Sequence, residues 1–267
     1  MITKYSQPFL LLVLLLCILT TAACTAPSPH QSTTVDTPPT PSAHNTTSLD
    51  AWDWNGKDAQ PVDISSSIEL APRPDKRSAD LRGDGQPVWA VRDTQGVVRV
   101  YDGLPDDNAP LLWQNEAESW HIGRLDVGDP NNDGRIEYLL LLWKPDASGT
   151  IRSHPFLMGW RGGHYRIIWG GSATHRFIQD LAVGDLDADG EQELVVLEGG
   201  RKPGDMGEVL SVWHWHGWGF QQEWQSPTGQ WNHLVLQDIT GDAHPDIVAY
   251  VAERSSSSGS TSIYPTP

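Results

Sequence analysis

The sequence predicts an all-β domain, a β-propeller of about four blades whose N-terminal strand completes the C-terminal blade. Three observations carry that expectation. A short acidic loop recurs four times behind an apolar run, and its first aspartates, Asp80, Asp129, Asp185 and Asp238, lie 49, 56 and 53 residues apart. Such spacing belongs to blades or solenoid units. Between the loops the chain reads Trp-x-Gly-x-x-aromatic-x-x-x-Trp at 160–169 and again at 215–224. That pattern describes a tight hairpin with glycine in the turn. Finally, the chain ends where a further hairpin is due after the last loop, while Ala51-Trp52-Asp53-Trp54-Asn55-Gly56 parallels Val212-Trp213-His214-Trp215-His216-Gly217. The first strand is therefore expected to supply what the last blade lacks.

Taken in order, residues 1–23 hold Lys4, an apolar core from Phe9 to Leu19, and Ala22-Ala23 before Cys24. This is the layout of a secretory signal, too short and too poor in flanking charge for a spanning helix. Thr21-Ala22-Ala23-Cys24 resembles a bacterial lipobox, which implies lipidation at Cys24. Thr21 stands where the motif usually has leucine, so secretion after an Ala-x-Ala-like site is the other reading. Cys17 lies inside the signal, so lipidation of Cys24 leaves no thiol for a disulfide and the domain must rely on its core and its metals. Residues 24–50 are rich in Pro, Ser and Thr and read as a disordered tether. Residues 51–267 are expected to form the propeller.

Three of the loops place oxygen-bearing side chains at positions 1, 3, 5 and 9: Asp129, Asn131, Asp133 and Glu137; Asp185, Asp187, Asp189 and Glu193; Asp238, Thr240, Asp242 and Asp246. Alternating carboxylate, amide and hydroxyl oxygens around a glycine or alanine at position 6 suit a hard cation with six to eight oxygen ligands. Calcium fits. Magnesium demands a stricter octahedron, and zinc calls for Cys or His, while no loop contains a Cys. These are not EF-hands, because position 12 is Leu140, Val196 or Ala249 instead of a bidentate Glu. Position 9 runs directly into a strand-like apolar stretch.

Together these residues resemble the FG-GAP/VCBS repeats of integrin-alpha-type β-propellers, over roughly residues 50–265. The resemblance implies calcium in an inter-strand loop, held by the side chains named above and by the position-7 carbonyls of Arg135, Glu191 and His244. It implies about three ions. The fully carboxylate loop at Asp185 is expected to bind most tightly. The fourth copy, Asp80-Leu-Arg82-Gly83-Asp84-Gly85-Gln-Pro-Val88, departs from the pattern at Arg82 and Val88. It is expected to hold no ion, with the arginine supplying positive charge instead. Arg82-Gly83-Asp84 also spells an adhesion tripeptide, which descent from an acidic loop explains.

A formal net charge of −16 argues against nucleic acid or anionic membrane as partners, leaving membrane contact to the lipid anchor alone. No nucleophile elbow, HExxH or phosphate-binding glycine loop is present, so no enzymatic activity is expected. The expectation is a non-catalytic module at the cell surface or periplasmic face that holds a protein partner. The alternative is a carbohydrate-binding propeller. Most of the thirteen tryptophans occupy repeat positions and are expected to pack between blades, leaving Trp218 and Trp231 as candidates for a ligand face. His214 and His216 alternate on an expected strand and are placed on one face.

Overall fold

The computed structural model describes residues 46–252 apart from 65–67, 72, 107 and 116–119. The signal, Cys24 and most of the tether lie outside the described residues. Among these, four antiparallel four-stranded sheets form a β-propeller and no helix occurs. Blade I comprises β3 (Lys76–Ala79), β4 (Val88–Arg92), β5 (Val98–Asp102) and β6 (Leu111–Gln114). Blade II follows with β7 (His121–Gly128), β8 (Glu137–Pro145), β9 (Ile151–Arg161) and β10 (His164–Gly170). Blade III contains β11 (Ile178–Gly184), β12 (Glu193–Glu198), β13 (Val209–Trp215) and β14 (Phe220–Gln225). Blade IV joins β15 (His233–Gln237) and β16 (Asp246–Ala252) to β1 (Thr46–Trp54) and β2 (Ala59–Pro61).

In blades II, III and IV the second strand is covered on both faces, so it reads as an unbroken apolar run. In β8, Tyr138, Leu139, Leu140, Leu141 and Leu142 are all fully buried, and in β12 so are Leu194, Val195, Val196 and Leu197. Alternate residues serve opposite seams. Leu140 and Leu142 pack towards Val88, Val98 and Met158, while Leu139 and Leu141 pack towards Ile178, Leu181 and Leu194. Each such side chain contributes about 1.5–3 kcal/mol relative to exposure. The Trp-x-Gly motifs are hairpins as expected: Gly162 and Gly163 turn the chain between β9 and β10 at φ 63° and 85°, conformations that side chains with a Cβ resist.

Closure goes further than a single strand. β1 pairs antiparallel with β16 from Thr46↔Ala252 to Trp52↔Ile247, and β2 then pairs with β1, so the N-terminal segment supplies half of blade IV. The strand begins at Thr46, which places residues 46–50 in the sheet and not in the expected tether. Trp52 and Trp54 enter the core shared with Val195, Leu197, Val212 and Leu234. Trp231 belongs there too. It is only 2% exposed, stands edge-on to Trp52 at 5.6 Å and donates its indole N–H to Asp50 Oδ2 at 2.7 Å, which removes it from any ligand face.

Candidate metal centre

All four acidic loops connect the first strand of a blade to the second: loop I (80–88), loop II (129–137), loop III (185–193) and loop IV (238–246). They share one backbone. Position 4 is left-handed in each, at Gly83, Asn132, Ala188 and Gly241, and so is position 6, at Gly85, Gly134, Gly190 and Ala243. The first aspartate anchors the turn by accepting the position-6 N–H: Gly85 to Asp80 at 2.7 Å, Gly134 to Asp129 at 2.8 Å, Gly190 to Asp185 at 3.1 Å and Ala243 to Asp238 at 3.0 Å. The position-5 aspartate accepts from the N–H of position 7, as Asp133 does from Arg135 and Asp189 from Glu191.

Two loops then gather their carboxylates. Oxygens of Asp129, Asp133 and Glu137 lie within 4.8 Å of one another, and so do those of Asp185, Asp187 and Glu193. Asp189 is not among the gathered oxygens of its loop, although Asp133, which accepts the equivalent amide, is among those of loop II. Glu137 is fully buried, yet its Oε2 meets no donor among the described residues, and the same holds for the buried Oδ1 of Asp185. A buried carboxylate oxygen without a partner is costly unless a cation satisfies it. Both glutamates are pushed up to about 7. Burial is the first cause in each case; Asp133 and Asp129 add to it at Glu137, opposed by Arg161, while Asp187 and Asp189 add to it at Glu193, opposed by the Leu186 N–H and His214. This donor set of clustered oxygens fits a hard divalent cation.

Loop IV is built differently. Asp246 Oδ2 accepts from the Ile239 and Thr240 amides at 2.8 and 3.1 Å and from the Thr240 hydroxyl at 3.3 Å, which holds it within its own loop. Among the described residues, Asp238, Asp242 and Asp246 do not converge as the other two sets do. Burial, followed by Asp246 and Asp242, raises the carboxyl of Asp53 on β1, so the N-terminal strand adds an acidic group beside this loop.

Basic side chains enter the other three loops. Arg82 pairs with Asp84 and Asp102 at 3.0 Å each, so positive charge does occupy the degenerate loop and the adhesion tripeptide is tied to its own surroundings. Arg161, at the end of β9, donates from Nη2 to Asp133 and Glu137 at 2.6 Å each. On β13, His214 stands 3.0 Å from Glu191 and 3.8 Å from Glu193, with the His216 ring 5.5 Å away on the same side. No sequence motif points to Arg161, because twenty-four residues separate it from Glu137.

Loops II and III also interlock. Asp129 N–H donates to Gln192 Oε1 at 2.7 Å, and the Gln192 N–H donates to Asn132 Oδ1 at 2.9 Å. The β1–β2 turn closes on loop III as well: a methyl group at Gly56 would come within 2.4 Å of Asp187 Oδ2. Beside loop II lies an open groove of about 470 Å³ lined by Asn131, Asp133, Arg161, Arg166, Trp169, Trp215 and Trp218. Trp218 is 84% exposed, while its carbonyl accepts the Trp169 indole N–H at 3.0 Å.

Along the inner strands, ahead of the loops, sits a polar cluster that the motifs above do not include. Arg73 donates to Asp180 and Asp126 and to the carbonyls of Leu181 and Leu234, touching β7, β11 and β15. Arg77 joins Asp126 at 3.1 Å and Arg124 joins Asp180 at 2.9 Å. The chain does carry a signal for it. Counting five residues back from the first aspartate of each loop gives Asp75, Arg124, Asp180 and His233, one ionisable side chain per blade. At strand rise that is about 16 Å from the loops. No protein-family profile and no curated protein matches this chain.

Proposed function

We propose that this protein is a calcium-stapled propeller of the FG-GAP/VCBS type that acts, without catalysis, as a binding module displayed at the cell envelope. The observation that carries the metal reading is the pair of buried, unpartnered carboxylate oxygens, Glu137 Oε2 and Asp185 Oδ1, each within a gathered set of acidic side chains. Asp129, Asn131, Asp133 and Glu137 would hold one ion, and Asp185, Asp187 and Glu193 a second, with the Arg135 and Glu191 carbonyls as further donors. Loop IV takes a third only if Asp238, Asp242 and Asp246 draw together. Bound calcium supplies positive charge to clustered carboxylates. Because loops II and III are hydrogen-bonded to each other and the closing turn abuts Asp187, the ions would brace the ring.

Display at the envelope rests on the signal-like residues 1–23 and on Cys24 as the lipidation site. In a bacterial host, Cys24→Ser is expected to move the protein from the membrane fraction to the soluble one; an unchanged distribution would remove the anchor. The metal reading is tested by calcium titration of the chelator-treated protein, followed by calorimetry. Saturable binding that Asp187→Ala and Glu137→Gln weaken supports it, and no heat above the buffer blank overturns it.

A second reading is favoured by the groove beside loop II. Trp218 presents its face to solvent next to Trp169 and Trp215, with Arg161, Arg166 and Asn131 offering hydrogen bonds. Flat aromatic surface with polar neighbours suits the apolar face and the hydroxyls of a sugar. Glycan-array binding lost in Trp218→Ala favours a lectin. A blank array with a recoverable protein ligand favours the protein-interaction reading.

A further inference from the structure

Four arginines of this acidic chain converge on one cavity beside the inner strands. Arg73, Arg77, Arg92 and Arg124 line a space of about 170 Å³ together with Asp75, Asp180, His233 and Tyr250. Counting Asp126, which touches Arg73 and Arg77, three carboxylates face four guanidiniums. The cavity thus carries a positive excess in a protein of formal charge −16. Low-dielectric walls focus such a field.

The donors are not all spent on the protein. Arg73 is consumed by its four acceptors. Arg77 uses Nε on Asp126 and Nη1 on the Pro74 and Lys76 carbonyls. Arg92 uses Nε and Nη2 on Asp75, and Arg124 uses only Nε, on Asp180. Among the described residues, no acceptor meets either terminal nitrogen of Arg124, Nη2 of Arg77 or Nη1 of Arg92. These come from three separate strands, β7, β3 and β4. The carboxylates that fix the other guanidinium nitrogens also fix where these point.

We propose that this cavity is a binding site for a small oxyanion, with Arg124, Arg77 and Arg92 as its donors. Guanidinium forks match the paired oxygens of phosphate and carboxylate groups. The volume falls below the range of about 300–1,000 Å³ typical of larger ligands, which points to a free small ion. Arg73 with Asp180 and Asp126 forms the floor, and Arg124 is shared between floor and ligand. None of the three donors belongs to an acidic loop: Arg77 and Arg124 stand three and five residues before one on the inner strands, and Arg92 closes β4.

The test is titration of the full chain, held in chelator, with inorganic phosphate and separately with malonate, read by calorimetry and by thermal unfolding against sodium chloride of equal ionic strength. The expected result is saturable binding of at least one of the two and a rise in Tm beyond the chloride control. Phosphate alone, or malonate alone, identifies which oxyanion geometry the cavity accepts. Arg124→Gln should weaken binding by about tenfold or more. Because Arg124 also braces Asp180, Arg92→Gln provides the second arm: its partner Asp75 is exposed, and it should weaken binding while leaving the Tm without anion near wild type. Shifts no larger than those in chloride, or binding unchanged in Arg92→Gln, would overturn the proposal.

Discussion

Arg73 donates to Asp180 at 2.8 Å although 107 residues separate them, and Asp180 is completely buried. The pair ties the segment entering β3 to the inner strand of blade III. Through the Leu234 carbonyl and Asp126, the same guanidinium reaches blades IV and II. One side chain thus braces the ring across its axis.

Removing the anion should therefore cost more than an ordinary surface change. Asp180→Ala leaves Arg73 and Arg124 without their shared acceptor, and a loss of about 3–5 kcal/mol in urea unfolding is expected. The pH dependence has a defined sign. Burial by itself would raise the Asp180 carboxyl, but Arg124, Arg73 and His233 hold it below its ordinary 3.8. A depressed carboxyl stabilises the fold above pH 3.8 and loses that contribution as pH falls through its folded value. The stability gap between wild type and Asp180→Asn should accordingly be full at neutral pH and shrink below pH 3.8.

Calcium should act as a staple. Addition of calcium at 100 times Kd is expected to add about 2.7 kcal/mol per independent site, seen as a rise in Tm over the chelated protein. Asp187→Ala should lose the share that belongs to loop III and keep that of loop II. An equal rise in wild type and variant would count against loop III as a site.

Arg161 holds oxygens that the proposed ion at loop II would take, since its Nη2 donates to both Asp133 and Glu137. Arg161→Gln should therefore tighten calcium binding at that loop, by about tenfold if one unit charge at contact distance is relieved. Calorimetric titration in an Asp187→Ala background isolates the effect. Weaker binding would mean that Arg161 orients Glu137 for the ion instead of opposing it.

Closure by two N-terminal strands makes the terminal residues structural. Deleting residues 46–61 removes β1 and β2 from blade IV and with them Trp52 and Trp54 from the core. Loss of cooperative thermal unfolding is expected. Trp52→Ala, a milder change, should cost about 3–5 kcal/mol. A deletion that unfolds with unchanged Tm would show that the other strands suffice.

Much of the architecture is legible in the amino-acid sequence. The spacing of Asp80, Asp129, Asp185 and Asp238 marks four equivalent loops, and all four do join the first and second strands of blades. The Trp-Gly motifs mark the β9–β10 and β13–β14 hairpins. The parallel between 51–56 and 212–217 announces closure, while the second strand it brings, β2, leaves no comparable mark in three residues. In the loops, sequence names the carboxylates but not their fate: Asp246 is held by its own loop amides, whereas Asp129, Asp133 and Glu137 gather. Trp218 and Trp231 look alike as departures from the repeat, and only one of them faces solvent.

The sequence by itself determined blade number, the turn of the acidic loops and the hairpin turns, because each depends on residues near one another along the chain: a left-handed turn, a carboxylate accepting an amide five residues on, an apolar strand. The tertiary structure alone decided which charges meet. Arg161 reaches Glu137, and Arg73, Arg124, Asp180 and His233 meet at the axis, because ring closure brings the inner strands of separate blades together. Pairings of that kind are set by where blades pack, and no local pattern encodes the distance between them.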